Sequence, residues 1–167
     1  ALDDAQIDTH WRVGLVSATS VGGMDLTERF YRDFMRNPDS GRLRMVAHHD
    51  SADSTLHIAD YCGIDHFSTT ISTACSSSAN AIMLGARLIR AGLLDVVVAG
   101  GTDALCQFTV NGFASLKILD TQPCRPFDAT RAGLNLGEGA GYIVLQPADA
   151  PSVRDYGRLL GFANTND

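Results

Sequence analysis

The chain has 167 residues, 45% of them hydrophobic and 19% charged, with a formal net charge of −6. That length suits one domain with a substantial core, and the acidic balance excludes general affinity for nucleic acid, which needs a basic surface. The four cysteines, Cys62, Cys75, Cys106 and Cys124, contain no Cys-x-x-Cys pair, so neither a zinc knuckle nor a dithiol redox motif is indicated and free thiols in a reducing compartment are expected. No apolar run approaches the roughly 20 residues that span a bilayer. The start, Ala1-Leu2-Asp3-Asp4, lacks the basic-then-apolar layout of a signal peptide. A cytoplasmic protein without membrane association is the expectation.

Trp11 to Ala18 is a short apolar run bounded by Gly22-Gly23 and reads as a buried strand ending in a tight turn. The glycine pair lacks the lysine and spacing of a phosphate loop. A helix is expected from Asp25 through about Met35, capped by Asp25 or Thr27 and stopped by Pro38. Residues 37–53 are polar and basic, a surface crossing with a helical turn near Leu43 to Ala47, and Ser54 to Tyr61 reads as another helix. His48 and His49 are adjacent and share no helix or strand face, and neither they nor His57 lie in a recognised ligand pattern, so no metal site is assigned.

Ser68 to Gly101 is the stretch on which the chain is organised. A β-rich run leads into Ser72-Thr73-Ala74-Cys75-Ser76-Ser77, then an apolar helix from Ser76 to about Ala91 with Asn80, Arg87 and Arg90 as its polar stripe. Gly92 stops that helix, and Val96-Val97-Val98-Ala99-Gly100-Gly101 is a second strand. The result is a β-α-β unit with Cys75 at the strand-to-helix turn. A helix N-terminus presents unpaired N–H groups and a partial positive charge, which favour a thiolate and can hold an oxyanion. Position alone leaves two readings of Cys75 open, a nucleophile and an inert buried thiol.

Gln107 to Leu119 is expected to be partly helical, and Asp120 to Gly133, with Pro123, Pro126 and Gly133, a long loop. Gly137-Glu138-Gly139-Ala140-Gly141 is no dinucleotide fingerprint: Tyr142 takes the last glycine position, and Gly141 to Gln146 continues as a strand. No cofactor is therefore assigned. Pro147 to Ser152 makes a turn and Tyr156 to Phe162 reads as a last strand. The alternation of strands and helices predicts an α/β protein, a mixed sheet covered by helices on both faces.

Three ordered motifs, Ser72 to Ser77 with Val98-Ala99-Gly100-Gly101 behind it, then Arg125-Pro126-Phe127-Asp128 with Arg131-Ala132-Gly133, then Gly137 to Gly141, resemble the β-ketoacyl-(acyl carrier protein) synthase family from about Val13 to the C-terminus. One departure is at Met45-Val46-Ala47-His48-His49, where the family reads Met-x-Ala-Gly-His. The resemblance implies a thiolase-like fold, of which residues 1–167 are a single partial domain. On that resemblance it is expected to be the N-terminal half without its first strand, and to lack the second half, in which the family keeps two catalytic histidines, a lysine and a glycine-rich loop. It implies a decarboxylative Claisen condensation of a cysteine-bound acyl group with a malonyl thioester on acyl carrier protein, in fatty-acid or polyketide synthesis, by a homodimer.

Carried over by residue, the resemblance makes Cys75 the nucleophile, with its own N–H as an oxyanion donor, and Phe113 an aromatic of the acyl pocket. Lys117 falls where a basic residue can meet the carrier protein. Arg125, Asp128, Arg131 and Glu138 are expected to hold the loop beside the site, since charged groups in a buried loop need partners. These 167 residues alone are expected to catalyse no condensation. Three other classes stay open: a non-catalytic subunit similar to a chain-length factor, against which Cys75 argues; another thiolase-fold condensing enzyme; and a Cys-His hydrolase, for which no Gly-x-Ser-x-Gly elbow is present.

Overall fold

The computed structural model describes residues 2–8 and 10–165. The chain divides into two compact units, one of Ala1–Ser20, Ser54–Gly101 and Gly141–Asp167, the other of Val21–Asp53 and Thr102–Ala140.

The first unit is built on a mixed four-stranded sheet with order β2-β1-β3-β4, formed by β1 (Val13–Ala18), β2 (Phe67–Ile71), β3 (Val96–Asp103) and β4 (Gly139–Leu145). β1 runs parallel to both neighbours, with Leu15 opposite Ser68 on one side and Val98 on the other. A strand flanked on both sides and buried on both faces must be almost continuously apolar, which is why Val-Gly-Leu-Val-Ser-Ala, with Ser17 as its one polar side chain, and Val-Val-Val-Ala form the centre. Alternation then sorts the side chains. Val16, Ala18, Val97 and Ala99 pack on one face with Ala81, Ile82 and Leu88 of α3 (Ser77–Arg90). Leu15 and Val98 pack on the other with Ile58 and Ala59 of α2 (Ser51–Cys62) and with Ile64. Helices thus cover both faces, as the sequence predicts. Leu15, Val16, Val96 and Val97 are wholly buried, each contributing about 1.5–3 kcal/mol relative to exposure.

α3 is less buried than its composition suggests: Ser77, Ala81, Met83 and Gly85 are buried, while Arg87 and Arg90 are exposed. It ends where expected, with Gly92 in the left-handed region at φ 67°. The closing strand expected at residues 156–162 does not form. A strand needs a ladder neighbour and a buried face; among the described residues this segment has no ladder partner, and Tyr156 and Leu160 are 75% and 94% exposed. Side chains hold it instead: the Tyr156 hydroxyl donates to Asp4 at 3.0 Å, and Asn164 donates to Asn80 at 2.6 Å.

The second unit carries α1 (Met24–Arg36), a 3₁₀ helix over Leu43–His48, and α4 (Gln107–Ser115). Neither Asp25 nor Thr27 caps α1. Gly23 holds the N-cap, because a side chain there would overlap the His48 carbonyl oxygen. Asp25 instead pairs with Arg29 at 3.3 Å, and the Thr27 hydroxyl lies 2.9 Å from His49 Nδ1. His48 turns elsewhere, with its Nδ1 3.1 Å from Asp53. Among the described residues no helix is long and apolar enough to cross a membrane.

Candidate active site

β2 ends at Ile71 and α3 begins at Ser77, so residues 72–76 must reverse from strand to helix in one turn. They do so through Ala74, whose φ of 53° is a left-handed conformation that costs an L-residue about 1 kcal/mol or more. Neither Ala74 nor Cys75 is enclosed; both are exposed, and the Cys75 thiol is free. Among the described residues Cys75 is therefore not a buried thiol, whereas Cys106 is.

Hydroxyl and amide groups define the turn. Ser77, 3% exposed, accepts the Thr73 N–H at 2.8 Å and donates to the Ala74 carbonyl at 2.6 Å. The same carbonyl accepts the Ser20 hydroxyl at 3.2 Å and the Ser77 N–H at 3.1 Å. Ser76 donates to the Thr73 carbonyl at 2.8 Å, and the Asn80 amide donates to Thr73 Oγ1 at 2.8 Å. The N–H groups of Ser76 and Ser77 are thus turned back on Thr73 and Ala74. They are not the free oxyanion donors that the helix N-terminus suggested. Gly101 lets the helix start seat closely: a Cβ there would meet Ser78 Oγ, and the Ala18 carbonyl at 2.7 Å.

The other residues singled out in the sequence belong to the second unit. Phe113 is half-buried on α4. The start of that helix is capped from α1: Glu28 accepts the N–H groups of Gln107 at 2.8 Å and Phe108 at 2.6 Å. Lys117 follows the α4 C-cap, exposed and left-handed at φ 56°, a position usually held by Gly or Asn. The loop of residues 121–132 is exposed, not buried as its charges suggested, and its polar groups act within it. Asp128 accepts the Thr130 hydroxyl at 2.6 Å and N–H at 2.7 Å, which hold its carboxyl below the usual range. Arg125 donates to the Thr130 carbonyl and Arg131 to the Asp128 carbonyl, each at 2.9 Å. Glu138 leaves the loop and accepts the Leu105 N–H at 3.1 Å. Phe127, at φ 62°, is fully exposed at the loop tip.

Sequence reasoning passed over Ser77, Ser20 and Glu28. The run of serines after Cys75 was the available signal for the first; nothing local marks the other two. It passed over Asn135 as well, which fastens the base of the loop by accepting the Cys124 N–H at 2.6 Å and donating to the Asp120 and Gln122 carbonyls at 2.9 and 3.1 Å.

Residues 1–150 match the family described as Beta-ketoacyl synthase, N-terminal domain. A 3-oxoacyl-[acyl-carrier-protein] synthase 2 of Rhizobium meliloti (strain 1021) is 40% identical over 109 residues, covering 59% of this chain and 26% of the relative. A protein of the same description from Staphylococcus aureus is 28% identical over 186 residues, covering all of this chain and 45% of the relative. Among solved structures, a ketosynthase in complex with its chain length factor from Xenorhabdus doucetiae superposes with a TM-score of 0.65 at 32% identity, over 80% of this chain and 34% of that one. The chain spans less than half the length of these curated relatives.

Proposed function

Because the chain belongs to the β-ketoacyl synthase family, we propose that its full protein is a 3-oxoacyl-[acyl-carrier-protein] synthase in which Cys75 carries the acyl group between two half-reactions. The observation that carries this reading is the exposed Cys75 thiol on the left-handed turn that opens α3, inside the span that matches the family.

In the first half-reaction the Cys75 thiolate attacks the carbonyl carbon of an acyl thioester. A tetrahedral oxyanion forms, its charge met by the Cys75 N–H, and collapse expels the carrier thiolate and leaves the acyl group on Cys75. In the second, a malonyl thioester loses CO₂; its C2 takes the electron pair as an enolate, attacks the acyl carbon and expels the Cys75 thiolate, giving a 3-oxoacyl thioester on the carrier. That enolate needs donors such as imidazole N–H groups, and we assign them to a second half of the protein, since the chain spans less than half of its curated relatives. Phe113 lines the acyl pocket and Lys117 meets the carrier protein in this reading, with Arg125, Asp128, Arg131 and Glu138 shaping the neighbouring loop. The protein works in the cytoplasm as a homodimer joined along β2, which pairs only with β1 among the described residues; sedimentation equilibrium at micromolar concentration distinguishes dimer from monomer.

A second reading comes from the solved neighbour, whose partner is a chain length factor: a non-catalytic subunit on the same fold. One experiment separates the two. The full chain is incubated with an acyl carrier-protein thioester and digested, and the peptide containing Cys75 is weighed. An acyl adduct on Cys75, absent from the Cys75→Ser variant, is the expected result; no adduct, or one on Cys62, Cys106 or Cys124, overturns the catalytic reading.

A further inference from the structure

We propose that Ser77 is a positioning residue for Cys75: its buried hydroxyl clamps the Ala74 peptide in the left-handed conformation that presents the thiol. The proposal rests on the reading of Cys75 as the nucleophile and assigns the group that holds it in place.

Among the described residues no side chains enclose Ala74 or Cys75, both of which are exposed, while Ala74 keeps a φ of 53°, a conformation that relaxes in an L-residue unless its neighbours fix it. Ser77 lies two residues beyond the thiol and is 3% exposed. Its oxygen bridges the turn, accepting from the Thr73 N–H at 2.8 Å and donating to the Ala74 carbonyl at 2.6 Å. One hydroxyl therefore ties the carbonyl of the strained residue to the N–H of the residue before it. A serine opening a helix ordinarily spends its side chain on the helix's own N–H groups. Here no side chain makes such a cap bond at the N-terminus of α3, and both Ser76 and Ser77 reach back to residues 73 and 74. The serines after Cys75 thus serve the turn and not the helix. Ser77 is the buried one, whose bonds water does not replace when the hydroxyl is removed. The Ser20 hydroxyl on the same carbonyl, at 3.2 Å and exposed, is the weaker support.

Glycine adopts the left-handed region without strain, so a clamp is needed only while residue 74 bears a side chain. The test measures second-order alkylation of each cysteine in the full chain by limiting iodoacetamide with peptide mapping, with exposed Cys124 as internal standard. Ser77→Ala is expected to slow Cys75 about tenfold, the rate equivalent of one buried hydrogen bond, and to leave Cys124 unchanged. Adding Ala74→Gly to Ser77→Ala is expected to restore the wild-type Cys75 rate. An unchanged Cys75 rate in Ser77→Ala, or no recovery with Ala74→Gly, overturns the clamp. If Ser77→Ala fails to fold, the double variant decides: it folds and labels at the wild-type rate if the hydroxyl holds the turn, and stays unfolded or slow if Ser77 acts by packing alone. Failure of the underlying reading looks different, since the wild-type protein would then label Cys75 no faster than Cys124.

Discussion

Asp95 and Arg12 close the ends of β3 and β1 together: Asp95 takes the Arg12 guanidinium through Nε at 2.9 Å and Nη2 at 2.7 Å, and the Arg12 backbone N–H at 2.8 Å. Arg12 returns the bond, its carbonyl accepting the Asp95 N–H at 3.0 Å while Nη1 reaches the Gly92 carbonyl at 2.9 Å. The pair fixes the turn after α3 to the start of the central strands. It holds the Asp95 carboxyl well below its ordinary 3.8, at about 2, first through the guanidinium hydrogen bonds and then through the backbone one. A carboxyl held low in the folded state contributes fully above its unfolded value and loses that contribution as pH falls through the folded one. Asp95→Asn is therefore expected to lower the melting temperature at pH 7, with the gap from wild type closing between about pH 4 and pH 2. Thermal melts across that range check it; a gap independent of pH contradicts the assignment.

Ser17 and Tyr142 make the second such test. Ser17 is 1% exposed on β1, and its hydroxyl lies 2.7 Å from the half-buried Tyr142 hydroxyl of β4. Tyr142→Phe leaves a buried hydroxyl without its partner, expected to cost about 1–3 kcal/mol. Adding Ser17→Ala removes the orphan, so the double variant should recover most of the loss. Urea unfolding of the four proteins gives the coupling, and additive losses would show that the bond contributes nothing.

The Glu28 cap predicts a local effect. Its carboxylate supplies two acceptors and a negative charge at the N-terminus of α4, whose own N-cap residue, Cys106, makes no side-chain cap bond. Glu28→Ala is expected to cost about 0.5–2 kcal/mol and to speed hydrogen exchange at the Gln107 and Phe108 amides, with Glu28→Gln between it and wild type. Unaltered exchange at those two amides would remove Glu28 from this role.

These relationships also mark how far the sequence could be read. The central strands were legible because burial on both faces forces continuous apolar runs, and the turn at Cys75 because small residues stood between a β-branched run and a helical one. Gly22, Gly92 and the loop from Asp120 were legible because glycine and proline act on the backbone where they stand. The Glu28 cap and the Tyr142–Ser17 bond were not, since the partners are 79 and 125 residues apart and neither segment carries a local sign of the other. The strand read at residues 156–162 failed for the same reason in reverse: its pattern suits a strand, but pairing is decided by a neighbour that the segment does not contain. At the turn itself the backbone could be anticipated, whereas the direction of each serine hydroxyl depends on geometry that residue types do not encode.

Gly100 and Gly112 carry the last prediction, because the same change should act in opposite directions at the two. On β3, a Cβ at Gly100 would overlap the Gly141 carbonyl oxygen and approach Tyr142 Cα to 2.7 Å. Both obstacles are backbone atoms of β4, which can yield only by moving the strand, so Gly100→Ala is expected to destabilise by about 3 kcal/mol. In α4, a Cβ at Gly112 meets nothing within 4 Å. There glycine only adds freedom to the unfolded chain, and Gly112→Ala is expected to stabilise by about 0.5–1 kcal/mol. Chemical denaturation of the two variants beside wild type gives both signs. A loss at Gly112 as large as that at Gly100 would mean that the α4 surface is covered in the full protein and that the open space beside it is occupied; a harmless Gly100→Ala would mean that β3 and β4 are not so closely apposed.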